Sequence, residues 1–258
     1  MKYSKNNPLF TASFLPKGNG KLLDYDDDKT GIKYRYVQFN TRPVIDCPFR
    51  SAGCESVCYA TKGNHQFPSV KDSRFRSYEV SKADNFSERI EYTVRYHMST
   101  KRYKGNVMIV RIHESGDFYS LQYLRKWVAT WKSFRNDSGI VFVLYTKSFP
   151  FFLMLTEEEK DVIRSMMESG KLAINLSLDD TTTKRQRLAY LEMLKEFPLC
   201  NTYYCTENTD TVEHDDVCDC ADCAKCGTCN KGTGKKTVVK IHSASKADME
   251  EYRKNAER

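Results

Sequence analysis

The chain has 258 residues, with 41 Lys and Arg against 34 Asp and Glu, a formal charge of +7. That length can bury a full-sized core, and so modest a positive balance permits an anionic partner without demanding one. No run approaches the roughly 18 apolar residues needed to cross a bilayer, and the opening MKYSKNNPLFTASFLPKGNGKL lacks the apolar centre of a secretory signal. A cytoplasmic location without membrane contact is therefore expected, and in a reducing compartment ten cysteines read as metal ligands or redox groups before disulfides.

The first forty residues read as irregular chain, with the turn-rich KGNGK, the acidic loop DYDDDK and one alternating strand, KYRYVQF at 33–39. Residues 69–103 carry apolar positions at helical spacing and predict one or two amphipathic helices, with Asp84 or Asn85 as a cap. From there the rhythm becomes strand, helix, strand. NVMIVRIH (106–113), IVFVLYT (140–146) and LAINLSL (172–178) are short apolar runs of the kind buried in a parallel sheet. Between and after them lie three helices. The first, 120–134, places Leu121, Leu124, Trp127, Val128 and Trp131 on one face behind Ser120; the second, 156–170, opens with a Thr156–Glu159 capping box; the third, 183–197, stops before Pro198.

Alternating β and α units predict parallel strands joined by right-handed crossovers, hence a partial (βα) barrel or an open α/β sheet. In both, ligands gather at the carboxyl ends of the strands. The residues at those ends are His113-Glu114-Ser115-Gly116-Asp117, then Tyr145-Thr146-Lys147-Ser148, then Ser177-Leu178-Asp179-Asp180. All three clusters are polar, and they read either as a shared site or as caps and turns. The composition shifts at Cys200, which divides the chain into a βα unit over 1–199 and a cysteine-rich segment over 200–258.

Cysteines fall in two fields. Cys47, Cys54 and Cys58 lie within CPFRSAGCESVC, with no fourth cysteine or histidine beside them. A closed zinc site takes four ligands, so three imply a distant partner or a position left open. The second field holds Cys200, Cys205, Cys218, Cys220, Cys223, Cys226 and Cys229. Its CxxCxxC end, Cys223, Cys226 and Cys229, has the density seen around iron–sulfur clusters, and its CxxC pairs also suit zinc. The spacing is compatible with one shared site or with two, holding one or two 4Fe–4S clusters, or zinc. A strand, KTVVKIH (236–242), and a charged helical tail follow.

Several stretches together resemble the phage gene product 88 family: KGNGKL, the C-x6-C-x3-C-Y-A run followed by KG, IHESGDFYSLQYLRKW, YTKS, LSLDD, and CxxCGxC followed by VVKIH. Membership implies a phage-encoded protein in the host cytoplasm. More distantly the chain resembles radical S-adenosylmethionine (SAM) enzymes, with three cysteines after the first strand, a turn after the second and a serine–leucine–aspartate stretch after a later one. The cysteine gaps of six and three differ from the usual CxxxCxxC, and the usual Gly-Gly-Glu-Pro turn is only loosely echoed. The resemblance implies a radical-SAM-like partial barrel whose 4Fe–4S cluster sits on Cys47, Cys54 and Cys58. It further implies cofactor contacts from Ser115, Gly116, Asp117, Ser177 and Asp179, and a mouth lined by His113, Glu114 and Lys147 as catalytic candidates. Cys205, Cys223, Cys226 and Cys229 would resemble an auxiliary cluster. The substrate class left open is a small molecule or nucleic acid. Two competing readings remain: a zinc- or cluster-stapled phage protein binding nucleic acid or a host protein, and an electron-transfer protein with all clusters fully ligated.

Overall fold

The computed structural model describes residues 3–11, 14–15, 24–27, 30–218, 227–241 and 244–257. The expected ligands Cys223 and Cys226, with Cys220, all of KGNGK and His242, lie outside the described residues. Among those described, nine strands form one sheet. They are β1 (Phe14–Leu15), β2 (Tyr25–Asp26), β3 (Lys33–Phe39), β4 (Val107–Ile112), β5 (Ile140–Thr146), β6 (Leu172–Asp179), β7 (Asn201–Thr206), β8 (Asp216–Cys218) and β9 (Lys236–Lys240). The order is β1-β3-β4-β5-β6-β7-β9-β8, with β2 also paired to β3.

Every pairing from β3 through β9 to β8 is parallel, and β3 to β7 are laid down side by side in chain order. A parallel neighbour is reached only by a crossover, and crossovers share one hand. Strands added in one direction by crossovers of one hand keep all their helices on one face. The result is a mixed α/β fold whose sheet curls into a half-barrel, which decides between the two architectures the sequence allowed.

The outer layer consists of α2 (Pro68–Lys82), α3 (Phe86–Ser99), α4 (Leu121–Ser133), α5 (Phe149–Leu153), α6 (Glu157–Glu168) and α7 (Lys184–Glu196). Local chemistry sets their starts. Ser120 accepts from Tyr123 N at 3.1 Å, and capping boxes open α6 at Thr156–Glu159 and α7 at Thr183–Gln186. Beyond α6, Gly170 takes a left-handed φ of 69°, the conformation that ends helices at little cost for glycine. The main core lies between this layer and the convex face of the sheet. Phe39, Val110, Ile112, Phe142 and Leu144 meet Phe86, Leu124, Trp127 and Trp131 there, all buried. Trp127 meets Phe39 edge-on at 5.5 Å and Phe86 at 5.4 Å, and its burial stabilises by about 3 kcal/mol.

The concave face carries a smaller apolar set, Tyr36, Ile109, Val143 and Ala173. The segment from Gly227 to Thr233 reaches into it. Asn175 donates to Cys229 O at 3.0 Å, Asn201 to Lys231 O at 2.7 Å, and Asn230 to Tyr36 OH at 2.7 Å. Two asparagines buried on central strands are thus satisfied by this inner plug. The composition shift at residue 200 falls inside this one sheet, since β7, β8 and β9 all come from 200–258. Residues Asn201–Thr206 of this segment form strand β7, and the tail is helix α8 (Lys246–Ala256).

Candidate functional site

The first cysteine field leaves the carboxyl end of β3 and is fastened at both its ends. Thr41 N donates to Ser115 O at 3.0 Å, and Ser115 Oγ to Thr41 O at 2.9 Å. Gly116 has φ 81°, and a Cβ there would lie 1.9 Å from Thr41 Oγ1, so only glycine permits this approach. Asp117 N donates to Asp46 O at 3.0 Å, and Asp46 is itself ion-paired with Arg42 at 2.6 Å. The 115–117 turn, expected from the resemblance to touch a cofactor, is therefore bonded to residues 41–46.

Cys54 sits on the short helix α1 (Ala52–Ser56). Ser51 caps it, accepting from Cys54 N at 3.2 Å and donating to Asp179 Oδ2. Gly53 N donates to Thr181 Oγ1 at 2.8 Å. Helix α8 closes over α1: a Cβ on Gly53 would meet the Tyr252 ring at 2.5 Å, and Tyr252 OH donates to Asp180 at 2.9 Å. Lys62 and Asp248 add an ion pair.

Cys47, Cys54 and Cys58 are half-buried free thiols. Burial raises all three, most of all Cys47, where Asp117, Cys54 and Cys58 push the same way. Cys54 is pushed up to about 11 by burial, with Lys147 opposing and Asp179, Cys58 and Asp117 adding to the rise. Cys58 is raised by burial against the amides of Ala60 and Thr61 and the charges of Arg74 and Lys62. These mutual influences put the three thiols in one electrostatic neighbourhood with Asp117, Lys147 and Asp179. A bound cation reverses the direction, since thiolate is the ligand and binding releases the proton. Among the described residues no three His, Cys, Asp or Glu side chains close on a single point, as one tetrahedral ion would require. Three thiols on one loop are a donor set whose chemistry suits either an iron–sulfur cluster or zinc.

The strand-end clusters converge. Lys147 Nζ lies 2.7 Å from Asp179 Oδ2, with side chains 9% and 3% exposed, and donates to Ser177 O at 3.2 Å. Burial pushes the Asp179 carboxyl up, but Lys147, Ser51 and Thr181 outweigh it and hold the group below its ordinary range. Asp117 ties β4 to β5, accepting from Thr146 Oγ1 at 2.7 Å, Lys147 N at 2.8 Å and Phe118 N at 2.7 Å. Burial still lifts it to about 6. Glu114 accepts from Asn40 Nδ2 at 3.2 Å, and its carbonyl accepts from Tyr59 OH. His113 departs from its expected place at the mouth. A left-handed φ of 61° turns it into the core, where Nε2 meets Tyr123 OH at 2.9 Å. Burial and the nearby Arg111 charge push it down to about 3, so the ring is neutral near pH 7.

In the second field, Cys205 pairs with Asp179 in the β6–β7 register, and Cys205 and Cys218 both pair with Val239 of β9. Cys205 thus shares the edge of the first triad, and its charge acts on Lys147. Cys229 lies inside the half-barrel beside Tyr145. Cys200 is 0% exposed in the outer core and belongs to packing. A cleft of about 130 Å³ lined by Leu178, Tyr190, Thr202 and Tyr204 lies on the helix-covered face, away from the thiols. Sequence reading missed Ser51, Thr181 and Tyr252; the Ser51-x-x-Cys54 spacing, which fits an N-cap, was the available signal for the first.

These features define a class: an α/β half-barrel with a cysteine-bearing loop fastened across the carboxyl ends of its parallel strands. The family model Gene product 88 matches residues 9–232, and the chain belongs to that phage family. The matched span contains the cysteine loop, all three strand-end clusters and the inner plug up to Gly232, and leaves β9 and α8 outside. No curated protein matches the chain, and no solved structure matches it. Among the described residues no helix is long and apolar enough to cross a membrane.

Proposed function

We propose that Cys47, Cys54 and Cys58 hold a 4Fe–4S cluster at the mouth of the half-barrel, with one iron open to a small molecule, and that the protein is a radical-SAM-like enzyme. One observation carries this reading. The helix bearing Cys54 is capped by Ser51, Ser51 donates to Asp179, and Asp179 pairs with Lys147, so the thiol loop is locked to the edge where ligands of such folds gather. Such a cluster, when bound, supplies single electrons, which radical SAM enzymes deliver to S-adenosylmethionine.

The chain's own residues divide the remaining work. Asp117 and Asp179 direct most of their lone pairs to protein donors, so they position the loop and Lys147. Lys147 offers positive charge to a ligand at the mouth, and Ser177, half-buried on β6, adds a hydroxyl facing the concave side. Tyr59, Arg111 and Tyr145 wall that side. Cys205 and Cys229, with Cys223 and Cys226, are the proposed ligands of a second centre, a cluster or zinc. The competing reading is a metal-stapled protein that binds nucleic acid or a host protein. It is favoured by that same saturation of Asp117 and Asp179.

Electron paramagnetic resonance of the dithionite-reduced protein, with and without SAM, separates the two. A cluster signal that changes shape when SAM is added supports the open iron. A cluster signal indifferent to SAM moves the reading to a structural cluster.

A further inference from the structure

Arg111 interrupts an otherwise apolar strand and pairs in register with Gln38 of β3 and Val143 of β5. The alternation that sends Val110 and Ile112 into the helix-covered core sends Arg111 to the concave face. Its guanidinium lies 3.7 Å from the centroid of the Tyr145 ring. Its Nε is buried and has no hydrogen-bond partner. Among the described residues no carboxylate stands within ion-pair distance of it, although Glu114, Tyr145 and Tyr59 act on it electrostatically.

A guanidinium drawn largely out of water with no ion-pair partner lowers stability. Its neighbours show what structural arginines do here. Arg74 donates to Ala60 O at 3.0 Å and meets His65 Nδ1 at 2.7 Å, which fixes the residues after Cys58. Arg42 closes an ion pair with Asp46. Arg111 closes no ion pair among the described residues and meets Tyr145 alone. Arg74 and Arg111 both act on Glu114, so among the described residues two guanidinium groups share that one carboxylate. Arg111 itself stays half-buried and is not sealed into the core.

We propose that Arg111 anchors an oxyanion site inside the half-barrel, taking the carboxylate or phosphate of a small organic ligand. Stacking on Tyr145 fixes the guanidinium plane and leaves its outer edge to donate two parallel N–H bonds, the geometry that matches both oxyanions. The rings of Tyr59, Tyr145 and Tyr203, the last two 4.9 Å apart and edge-on, offer apolar surface for the ligand's body. The site stands on the sheet itself and does not depend on the metal reading.

Thermal unfolding of the full chain tests it, using wild type, Arg111→Met and Arg111→Lys. Sodium phosphate or sodium acetate is the probe, with ionic strength held constant by sodium chloride. The wild type is expected to gain about 3 °C at tenfold excess of probe over its Kd. Arg111→Lys should gain less and Arg111→Met nothing, and Arg111→Met without probe should unfold no lower than wild type. A response to phosphate alone identifies a phosphorylated ligand, to acetate alone a carboxylate, and to both a general oxyanion site. Equal gains in wild type and Arg111→Met would overturn the proposal, as would no gain in the wild type. Unfolding of Arg111→Met several degrees below wild type would assign Arg111 a structural role instead.

Discussion

Lys147 and Asp179 face each other at 2.7 Å across the carboxyl ends of β5 and β6, and the same Asp179 oxygen accepts from Ser51, the cap of the helix that carries Cys54. One carboxylate therefore joins a buried ammonium on the sheet to a cysteine on the loop.

Removing that carboxylate strands the ammonium. Asp179→Ala is expected to cost about 3–5 kcal/mol in urea unfolding, because a buried charge loses its partner. Ser51→Ala should cost about 1 kcal/mol, the value of an N-cap. The Lys147→Met, Asp179→Ala double variant should recover part of the loss. If the single losses simply add in the double variant, the two residues do not act as a pair.

Gly116→Ala places a methyl 1.9 Å from Thr41 Oγ1 in a left-handed backbone position. The turn must move, and with it the segment leading to Cys47. We expect a loss above about 2 kcal/mol together with reduced iron retention. Wild-type stability in Gly116→Ala would show that the 41–46 segment is not held as described.

Two histidines shape the acid limb of stability. Burial, aided by the Arg111 charge, pushes His113 down to about 3, and burial takes His97 down to about 4. Between those values and the ordinary 6.5 the unfolded chain binds protons that the folded chain refuses. Their contribution is thus complete above 6.5 and is lost as pH falls toward 3 or 4. Asp117 acts in the opposite sense. Burial raises it from 3.8 to about 6, so its contribution is complete below 3.8 and is lost as pH rises through 6. His113→Asn, which tolerates the left-handed backbone, should flatten the loss between pH 6.5 and 4.5 by up to about 1.4 kcal/mol per pH unit. Identical pH slopes for variant and wild type in urea unfolding would contradict the buried neutral imidazole.

Cys200 separates packing from ligation. At 0% exposure in the outer core, Cys200→Ala should cost about 1–2 kcal/mol and leave metal content unchanged. Loss of metal on that substitution would bring Cys200 into the ligand set.

The outer architecture was legible because its signals are local. IVFVLYT reads as a buried strand and occupies the same residues, Ile140–Thr146, in the structure; Ser120, Thr156 and Thr183 carry the capping chemistry that starts α4, α6 and α7. Strand β7 was hidden because its inward positions, Asn201, Tyr203 and Cys205, face a polar interior and so lack an apolar alternation. The five-residue α5 is too short for a helical period. In the candidate site, the gathering of the three clusters on one edge followed from topology. The partners did not. That Asp179 meets Ser51 is a contact across 128 residues, and that His113 turns away rests on a φ no neighbouring residue announces.

The most direct test of the cluster at the mouth is iron, sulfide and zinc content with an absorption spectrum, measured on protein purified without oxygen, for wild type and Cys54→Ala. The account predicts brown wild-type protein with iron and acid-labile sulfide in near-equal amounts and a broad band near about 400 nm, where thiolate-to-iron charge transfer falls. It predicts that Cys54→Ala, still folded, loses the share of iron and sulfide held by Cys47, Cys54 and Cys58. Colourless wild-type protein with stoichiometric zinc would contradict it, and so would Cys54→Ala that keeps the full wild-type iron and sulfide.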